Sequence, residues 1–169
     1  MGIVCYLDAD FAGGWNITTS TDADNIMSCT GFVITYANCP IYWASHLQTE
    51  IALSTAKAEY IAMSSALRKV IPLMTLMKEL HTIFPVHINK LNFFCKVHED
   101  NQSTIRMAKS DKFTLQTKHN ALNHYFCSHV KNGRIEISYC PTEDQKADLL
   151  TKPLGDAAFF RLRHMLIGW

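Results

Sequence analysis

Four acidic residues stand at places in the sequence where a folded chain could bring them together. Asp8 follows an almost continuous apolar run, and Asp100 follows a segment of alternating apolar residues. Glu59 lies in the second turn of a helical pattern, roughly 60° from the centre of its apolar stripe. Asp148 lies in a further helical segment near the end of the chain. Because ligands collect at the carboxyl ends of strands in open α/β sheets, the four side chains could converge there.

Grouped carboxylates suit the chemistry of hard metal ions. They repel one another, and burial raises their pKa values unless a cation occupies the site. Oxygen ligands without cysteine or histidine favour Mg²⁺ or Mn²⁺. Two such ions, about 3.5–4 Å apart, activate a water and stabilise the leaving oxygen in phosphodiester hydrolysis. The spacing of the acids alone does not establish a metal site, because acids at strand ends and in first helical turns also serve as solvated caps.

The elements that must position these acids follow from hydrophobic periodicity and turn signals. The patterns predict strands over residues 2–7, 31–36, 41–45, 91–97 and 134–140. A long helix starts after Ser54, which is a natural N-cap, and Pro72 is expected to kink or divide it. Shorter helices are predicted over residues 102–109 and 119–131. Thr142 opens a capping box for a helix that Pro153 closes, and a last amphipathic helix carries Phe159, Phe160, Leu162, Met165 and Leu166. The order βββαβααβα indicates one layered α/β domain over residues 1–169.

Composition narrows the class of protein further. The chain has 169 residues, 48% of them hydrophobic, which is enough for one full core. Its formal net charge of +1 is not that of a strongly basic nucleic-acid binder, so any such binding must come from local patches. No apolar stretch reaches the roughly 18–20 residues of a membrane span, and no leader pattern opens the chain. Six scattered cysteines predict free thiols in a reducing, intracellular compartment.

Five sequence blocks carry a family resemblance. They occur in family order, at family-like spacing and over essentially the whole chain: residues 7–13 (LDADFAG), 52–60 (ALSTAKAEY), 99–103 (EDNQS), 117–119 (TKH) and 141–153 (PTEDQKADLLTKP). Together they resemble the ribonuclease H domain of the Pol polyprotein of Ty1/copia-type retrotransposons. The resemblance implies a ribonuclease H-like α/β fold, with a five-stranded mixed sheet and helices on both faces.

The resemblance also implies an activity. The domain would be a metal-dependent endonuclease that hydrolyses the RNA strand of RNA–DNA hybrids during reverse transcription. Asp8, Glu59, Asp100 and Asp148 would be its catalytic acids and would bind two Mg²⁺ (or Mn²⁺) ions. The reverse transcriptase domain of the same polyprotein would be its partner, with no membrane involved. The implied locations are the cytoplasm, including virus-like particles, and the nucleus.

Two segments are candidates for contacts with the hybrid. Asn101, Gln102 and Ser103 begin a predicted helix, where free N–H groups and the helix dipole favour phosphate, although these residues could equally cap the helix. Lys118 and His119 begin another helix beside a polar loop and could contact the substrate backbone, or form a solvated turn.

Departures from the family pattern keep an alternative open. Lys57 stands where the family commonly has an acid, and Ile26-Met27 replace a basic pair. Asn123 stands where the family favours an arginine. These losses support a catalytically silent ribonuclease H-like module that binds nucleic acid or a reverse transcriptase partner. A strand-transfer enzyme of the same fold is a further alternative, but Asp148 and the copia-type blocks argue against it.

Other candidate ligands are weaker. Asp10 and Glu99 adjoin predicted metal ligands, but neighbouring residues on a strand point to opposite faces, so neither is expected to bind metal. His124, Cys127 and His129 lie in one predicted helix. His129 falls off the face of the other two, and no second pair completes a tetrahedral zinc site, so we expect structural roles.

Overall fold

The computed structural model describes residues 2–14, 25–84, 94–110 and 128–169. Its strands are β1 Ile3–Asp10, β2 Cys29–Tyr36, β3 Cys39–Leu47, β4 Cys95–Glu99 and β5 Ile135–Tyr139. Its α-helices are α1 Thr55–Ile83, α2 Gln102–Lys109 and α3 Asp156–Ile167, and residues 128–131 form a further helical turn. Two 3₁₀ helices, Thr142–Asp144 and Lys146–Leu150, lie between β5 and α3.

The strands form one mixed sheet in the order β3-β2-β1-β4-β5. β1 pairs antiparallel with β2 and parallel with β4, and β5 is parallel to β4. The β2–β3 hairpin turns at Ala37 and Asn38, whose φ angles of 51° and 64° are those of a two-residue turn that matches strand twist. The predicted five-stranded mixed sheet is confirmed.

Both faces of the sheet are covered. Phe32 and Ile34 of β2 pack with the buried face of α1 in one hydrophobic core. Val33, which points to the opposite face by strand alternation, is also fully buried. That second face carries the 3₁₀ helix Lys146–Leu150, which contacts β1 and β2, and α3, which contacts β3. The expected helices on both faces are therefore confirmed.

α1 begins where the sequence predicts and continues further. The Ser54 hydroxyl accepts a hydrogen bond from the backbone N–H of Lys57 at 3.2 Å, which confirms Ser54 as the N-cap. Pro72 is predicted to kink or divide the helix; it lies inside one continuous α-helix, so the division does not occur. Pro72 and Arg68, whose carbonyl loses its helical partner, are both exposed, so water can hydrate that carbonyl.

Several predicted boundaries shift by two or three residues. β1 extends to Asp10, so Asp8 lies within the strand rather than after it. β4 ends at Glu99, which leaves Asp100 immediately after the strand as expected. α2 has the predicted bounds. Residues 91–93 of the predicted fourth strand and residues 119–127 of the predicted third helix lie outside the described residues.

The capping box predicted at Thr142 is wrong. Residues 142–150 form two short 3₁₀ helices rather than one α-helix, and Thr142 makes no capping hydrogen bond. Its hydroxyl donates instead to Oδ2 of Asp100 at 2.8 Å. A tertiary partner has therefore replaced the local one. The predicted last helix does form as α3, with Leu162 as its buried residue, whereas Phe159 and Phe160 are 42% and 53% exposed.

The expectations about membrane spans and cysteines can be compared with the structure within the described ranges. None of the helices in these ranges has the length and apolarity needed to cross a membrane. Five of the six cysteines fall within them, and all five are free thiols, as the scattered spacing predicts.

Candidate active site

Three of the four predicted acids meet where two parallel strands separate. β1 pairs with β4 only as far as Tyr6 opposite His98, whereas it stays paired with β2 through Asp10. Asp8 therefore lies in the crevice that opens between β1 and β4, which is where α/β sheets hold ligands. One carboxylate oxygen from each of Asp8, Glu59 and Asp100 lies within 4.8 Å of the others.

Glu59 reaches this crevice from α1. Because Ser54 starts the helix, Glu59 falls in its second turn on the face toward the sheet, with only 3% of its surface exposed. Its Oε2 is buried and has no hydrogen-bond partner among the residues that the structure describes. A buried carboxylate oxygen without a donor is costly unless a cation approaches it. The residues present therefore fit a hard divalent cation.

Asp100 is held in place from two sides. It follows β4 directly, and Oδ2 accepts the hydroxyl hydrogen of Thr142 at 2.8 Å. The next residue, Asn101, caps α2 by accepting the backbone N–H groups of Ser103 and Thr104 at 2.9 and 3.3 Å. This occupies two of the helix N–H groups that were candidates for phosphate. Gln102, which lines the cavity in front of the acids, and Ser103 are both exposed.

Asp148 joins the site through a lysine rather than directly. It lies in the 3₁₀ helix Lys146–Leu150 and is not part of the three-acid group. The ammonium of Lys152 lies 3.1 Å from Oδ1 of Asp8 and 3.2 Å from Oδ1 of Asp148. The hydroxyl of Thr151 donates to the other oxygen of Asp8. Residues 148–152 therefore bring one acid, one hydroxyl and one ammonium next to Asp8.

Gly31 allows this segment to approach the sheet. It pairs with Asp8 across β1 and β2. A Cβ at position 31 would lie 2.5 Å from Cγ2 of Thr151 and 3.2 Å from the carbonyl oxygen of Ala147. Sequence reasoning missed Gly31, although a glycine inside a strand pattern signals a close approach. Sequence reasoning also assigned no role to Thr151 or Lys152, although both lie within the family-like block 141–153.

Burial and mutual repulsion dominate the electrostatics of the carboxyl groups. Burial, and then the charges of Glu99, Asp8 and Asp100, raise the pKa of Glu59 to about 10. Burial, and then Asp8, raise the pKa of Asp148 to about 6. At neutral pH the shift at Glu59 means that the metal-free protein holds a proton there, where a cation would be the better partner.

The pKa of Lys152 is raised by the neighbouring acids. Burial alone would lower its pKa, but the charges of Asp8 and Asp148 more than offset this and raise it. The ammonium therefore stays charged as an internal counter-ion to the acids.

The two acids expected not to bind metal lie beside the group. Glu99 is fully buried, and its Oε1 accepts the backbone N–H of Asn101 at 3.0 Å. Burial raises its pKa to about 8. Asp10 lines the same cavity as Asp8, and burial is also the main cause of its raised pKa. Neither belongs to the three-acid group.

Asp8, Glu59 and Asp100 line a cavity of about 570 Å³ that opens to solvent. Lys118 and His119, the other predicted substrate contacts, lie outside the described residues, as do His124 and Cys127. Within the described ranges, the predicted site thus contains three acids close together, a fourth linked by Lys152, and the exposed start of α2.

Comparison with known proteins supplies relatives that are much longer than this chain. It is 33% identical over 148 residues to the retrovirus-related Pol polyprotein from transposon TNT 1-94 of Nicotiana tabacum, a match that covers 87% of the chain. The Pol polyproteins from transposons RE2 and RE1 of Arabidopsis thaliana are each 28% identical over 160 residues. The chain spans about 10% of the length of these curated relatives. No protein-family model matches it.

Solved structures show the same fold. The N-terminal RNase H domain of rv2228c from Mycobacterium tuberculosis superposes with a TM-score of 0.56 at 12% identity, over 96% of both chains. LC11-RNase H1, solved in complex with an RNA/DNA hybrid, gives 0.52 at 18% identity, over 88% of this chain and 93% of that one. These likenesses establish a ribonuclease H-like α/β fold. By its identity to the tobacco relative, the chain belongs to the retrovirus-related Pol polyproteins of copia-type transposons.

Proposed function

We propose that this chain is the ribonuclease H domain of a retrotransposon polyprotein and hydrolyses the RNA strand of RNA–DNA hybrids during reverse transcription. The observation that carries the proposal is the approach of Asp8, Glu59 and Asp100 to within 4.8 Å at the opening between two parallel strands. The fold and the Pol relatives support it, as does the RNA/DNA hybrid bound to LC11-RNase H1.

In this proposal the acids would bind metal, and Thr142 would orient one of them. Asp8, Glu59 and Asp100 would hold Mg²⁺ or Mn²⁺, and Asp148 would complete a second position on the far side of Asp8. When bound, a pair of such ions activates the attacking water and stabilises the leaving oxygen. Thr142 fixes one oxygen of Asp100, which leaves the other free to bind metal.

Substrate contacts would come from residues of this chain, chiefly at the start of α2, and from the reverse transcriptase domain of the same polyprotein. Gln102 and Ser103 are exposed next to the acids, so their side chains are placed to meet the hybrid backbone, and Lys118 and His119 remain predicted contacts. A net charge of +1 gives little general attraction for nucleic acid. We therefore assign most of the substrate affinity to the reverse transcriptase domain of the same polyprotein.

The test is cleavage of a hybrid with a labelled RNA strand, beside duplex DNA and duplex RNA of the same sequence. We expect cleavage of the hybrid RNA with Mg²⁺ or Mn²⁺ and none with a chelator. Asp8→Asn, Glu59→Gln and Asp100→Asn should each lower kcat by several orders of magnitude. Asp156→Asn, which changes an exposed acid in the first turn of α3, is the matched control.

Each result has a distinct meaning. Hybrid binding without cleavage in either metal would establish the silent-module alternative. Cleavage that persists after complete removal of metal would overturn the metal mechanism. Transfer of DNA strands would point to the related strand-transfer class.

A further inference from the structure

We propose that, in the metal-free protein, the ammonium of Lys152 occupies the position between Asp8 and Asp148 that a second divalent cation would take. That cation then binds only when the Lys152 side chain moves away. The inference rests on the proposed function, because it concerns the same carboxylates. It makes Lys152 a positioning residue that decides the order in which the two cations bind.

The contacts of Lys152 are those of a bridging cation. Its Nζ lies 3.1 Å from Oδ1 of Asp8 and 3.2 Å from Oδ1 of Asp148, and it donates a hydrogen bond to each. The side chains of these two acids are 1% and 7% exposed, and that of Lys152 is 31% exposed. The carboxylates are largely shielded from water, so this is not the loosely held ion pair of an open surface.

The three-acid group of Asp8, Glu59 and Asp100 forms the first cation position, which does not lie between the two acids that Lys152 bridges. One oxygen each from Asp8, Glu59 and Asp100 already converge, and Glu59 has a buried oxygen without a donor in the described ranges. A cation there would meet three carboxylates, of which Asp8 is the one that the Lys152 ammonium contacts. A cation between Asp8 and Asp148 would instead share its place with a positive charge about 3 Å from both acids. The ammonium therefore contacts one acid of three at the first position and both acids at the second, so it opposes the second cation more strongly.

The backbone around Lys152 can stay in place while the side chain leaves. The N–H of Lys152 donates to the carbonyl of Asp148 at 3.1 Å, and Thr151 is bound to Asp8 through its hydroxyl. Only rotations within the lysine side chain are needed to free the second position. Because Lys152 lines the open cavity, its ammonium has solvent to enter.

The test measures Mn²⁺ binding to the full chain by titration calorimetry and by the paramagnetic resonance signal of free Mn²⁺. The wild type is expected to bind one ion and a second much more weakly. Lys152→Met should tighten the second ion on the order of tenfold or more, because it removes a like charge. Lys152→Arg keeps the charge and should behave as the wild type. Lys69→Met removes an exposed charge from α1 and is the control for net charge.

A double substitution identifies the position that is gained. The tighter second ion of Lys152→Met should be lost again when Asp148→Asn is added, because Asp148 supplies one side of that position. A gain that survives in the double variant would overturn the assignment. If Lys152→Met does not fold, Lys152→Gln provides a neutral side chain that still donates a hydrogen bond.

A measurement on the wild type needs no variant. Acetylation of Lys152 by an amine-reactive ester, read by mass spectrometry with Lys69 as internal standard, should speed up as Mg²⁺ fills the second position. Unchanged labelling up to saturation would overturn the inference. If the first ion binds but Lys152→Met leaves the second unaffected, the inference fails while the proposed metal site stands. If no variant binds Mn²⁺ at all, the proposed function fails and the inference with it.

Discussion

The hydroxyl of Thr142 donates a hydrogen bond to Oδ2 of Asp100 at 2.8 Å, across 42 residues of sequence. Thr142 lies in the first turn after the β5 edge of the sheet, and Asp100 lies directly after β4. The bond orients a carboxylate that the proposed function assigns to metal. The sequence predicts that Thr142 caps a helix, but in the structure its side chain bonds to Asp100 at the site instead.

Thr142→Val should lower hydrolytic activity about tenfold to a hundredfold, because partners that orient metal ligands have effects of this size. Mn²⁺ affinity should fall in parallel, and the loss of stability should be about 1 kcal/mol. Thr142→Ser keeps the hydroxyl and should retain most of the activity. Steady-state kinetics and Mn²⁺ titration check this. Full activity in Thr142→Val would show that Asp100 needs no such partner.

Gly31→Ala should destabilise the protein by about 1–3 kcal/mol and reduce activity, because the added Cβ forces the sheet and the 148–152 segment apart. That Cβ would lie 2.5 Å from Thr151 Cγ2 and 2.9 Å from Leu150 Cβ. Gly155→Ala is the matched control, since a Cβ there meets no atom within 4 Å in the structure as described. Thermal unfolding and the hybrid cleavage assay measure the two effects. Equal Tm values for the two variants would contradict the close approach.

The stability of the metal-free protein should fall as pH rises. In the folded protein the pKa of Glu59 is raised to about 10 from an ordinary value of 4.5. The folded state therefore keeps a proton that the unfolded chain releases, and the free energy of unfolding decreases between these two pH values. We expect the Tm in chelator to drop from about pH 5 to about pH 8 through this group.

Glu59→Gln isolates the contribution of Glu59, because it removes one titrating group and keeps the shape. His98, whose pKa is lowered by burial, acts in the opposite sense near its ordinary value of 6.5, so the difference between wild type and variant is the quantity to measure. Mg²⁺ should raise the wild-type Tm more at the higher pH, where the acids are ionised. Parallel pH profiles for the two proteins would rule out the raised pKa of Glu59.

Lys57→Glu should stabilise the protein by about 1 kcal/mol, or about 2–4 °C in Tm. Position 57 is the third helical residue after the Ser54 cap, and its N–H already bonds to the Ser54 hydroxyl. A glutamate there can reach back to the cap and also suits the positive end of the helix dipole. Lys57 lines a groove beside β3, separate from the cavity of the acids, so the Mg²⁺ requirement should not change.

Ser54→Ala is the background for testing Lys57→Glu, since the gain in Tm should shrink once the cap is removed. A lower Tm for the single variant would contradict the proposed capping effect. A changed Mg²⁺ requirement would mean that position 57 faces the acids.

Hybrid binding by this chain alone should be weak, with a shallow dependence on salt, because the slope of log affinity against log salt is about −0.9 per phosphate neutralised on B-DNA. Fusion to the cognate reverse transcriptase domain should tighten binding through effective concentration. Fluorescence anisotropy at several salt concentrations measures both. Steep salt dependence for the single chain would reveal a basic surface, and no gain on fusion would indicate a self-sufficient domain.

Features that depend on neighbouring residues could be predicted from the amino-acid sequence. The Ser54 cap, the bounds of α2 and the β2–β3 hairpin all follow from side chains within a few residues of each other. The family resemblance also identifies Asp8, Glu59 and Asp100, which the structure brings within 4.8 Å of one another. Local rules suffice for the cap, the helix and the hairpin because those interactions are short in sequence, whereas the acids are identified by resemblance to a family.

Contacts between residues far apart in the sequence could not be predicted and emerge from the packing of the elements. Pro72 stays inside α1, whose apolar stripe packs along the sheet, although the local rule predicts a kink or a break. Asp8 is tied to Lys152 across 144 residues, and Gly31 is needed because Thr151 approaches it. No periodicity or spacing encodes such pairs, because they arise when separate elements pack. In this chain, therefore, sequence specified the acids and their elements, and packing specified the contacts that orient and neutralise them.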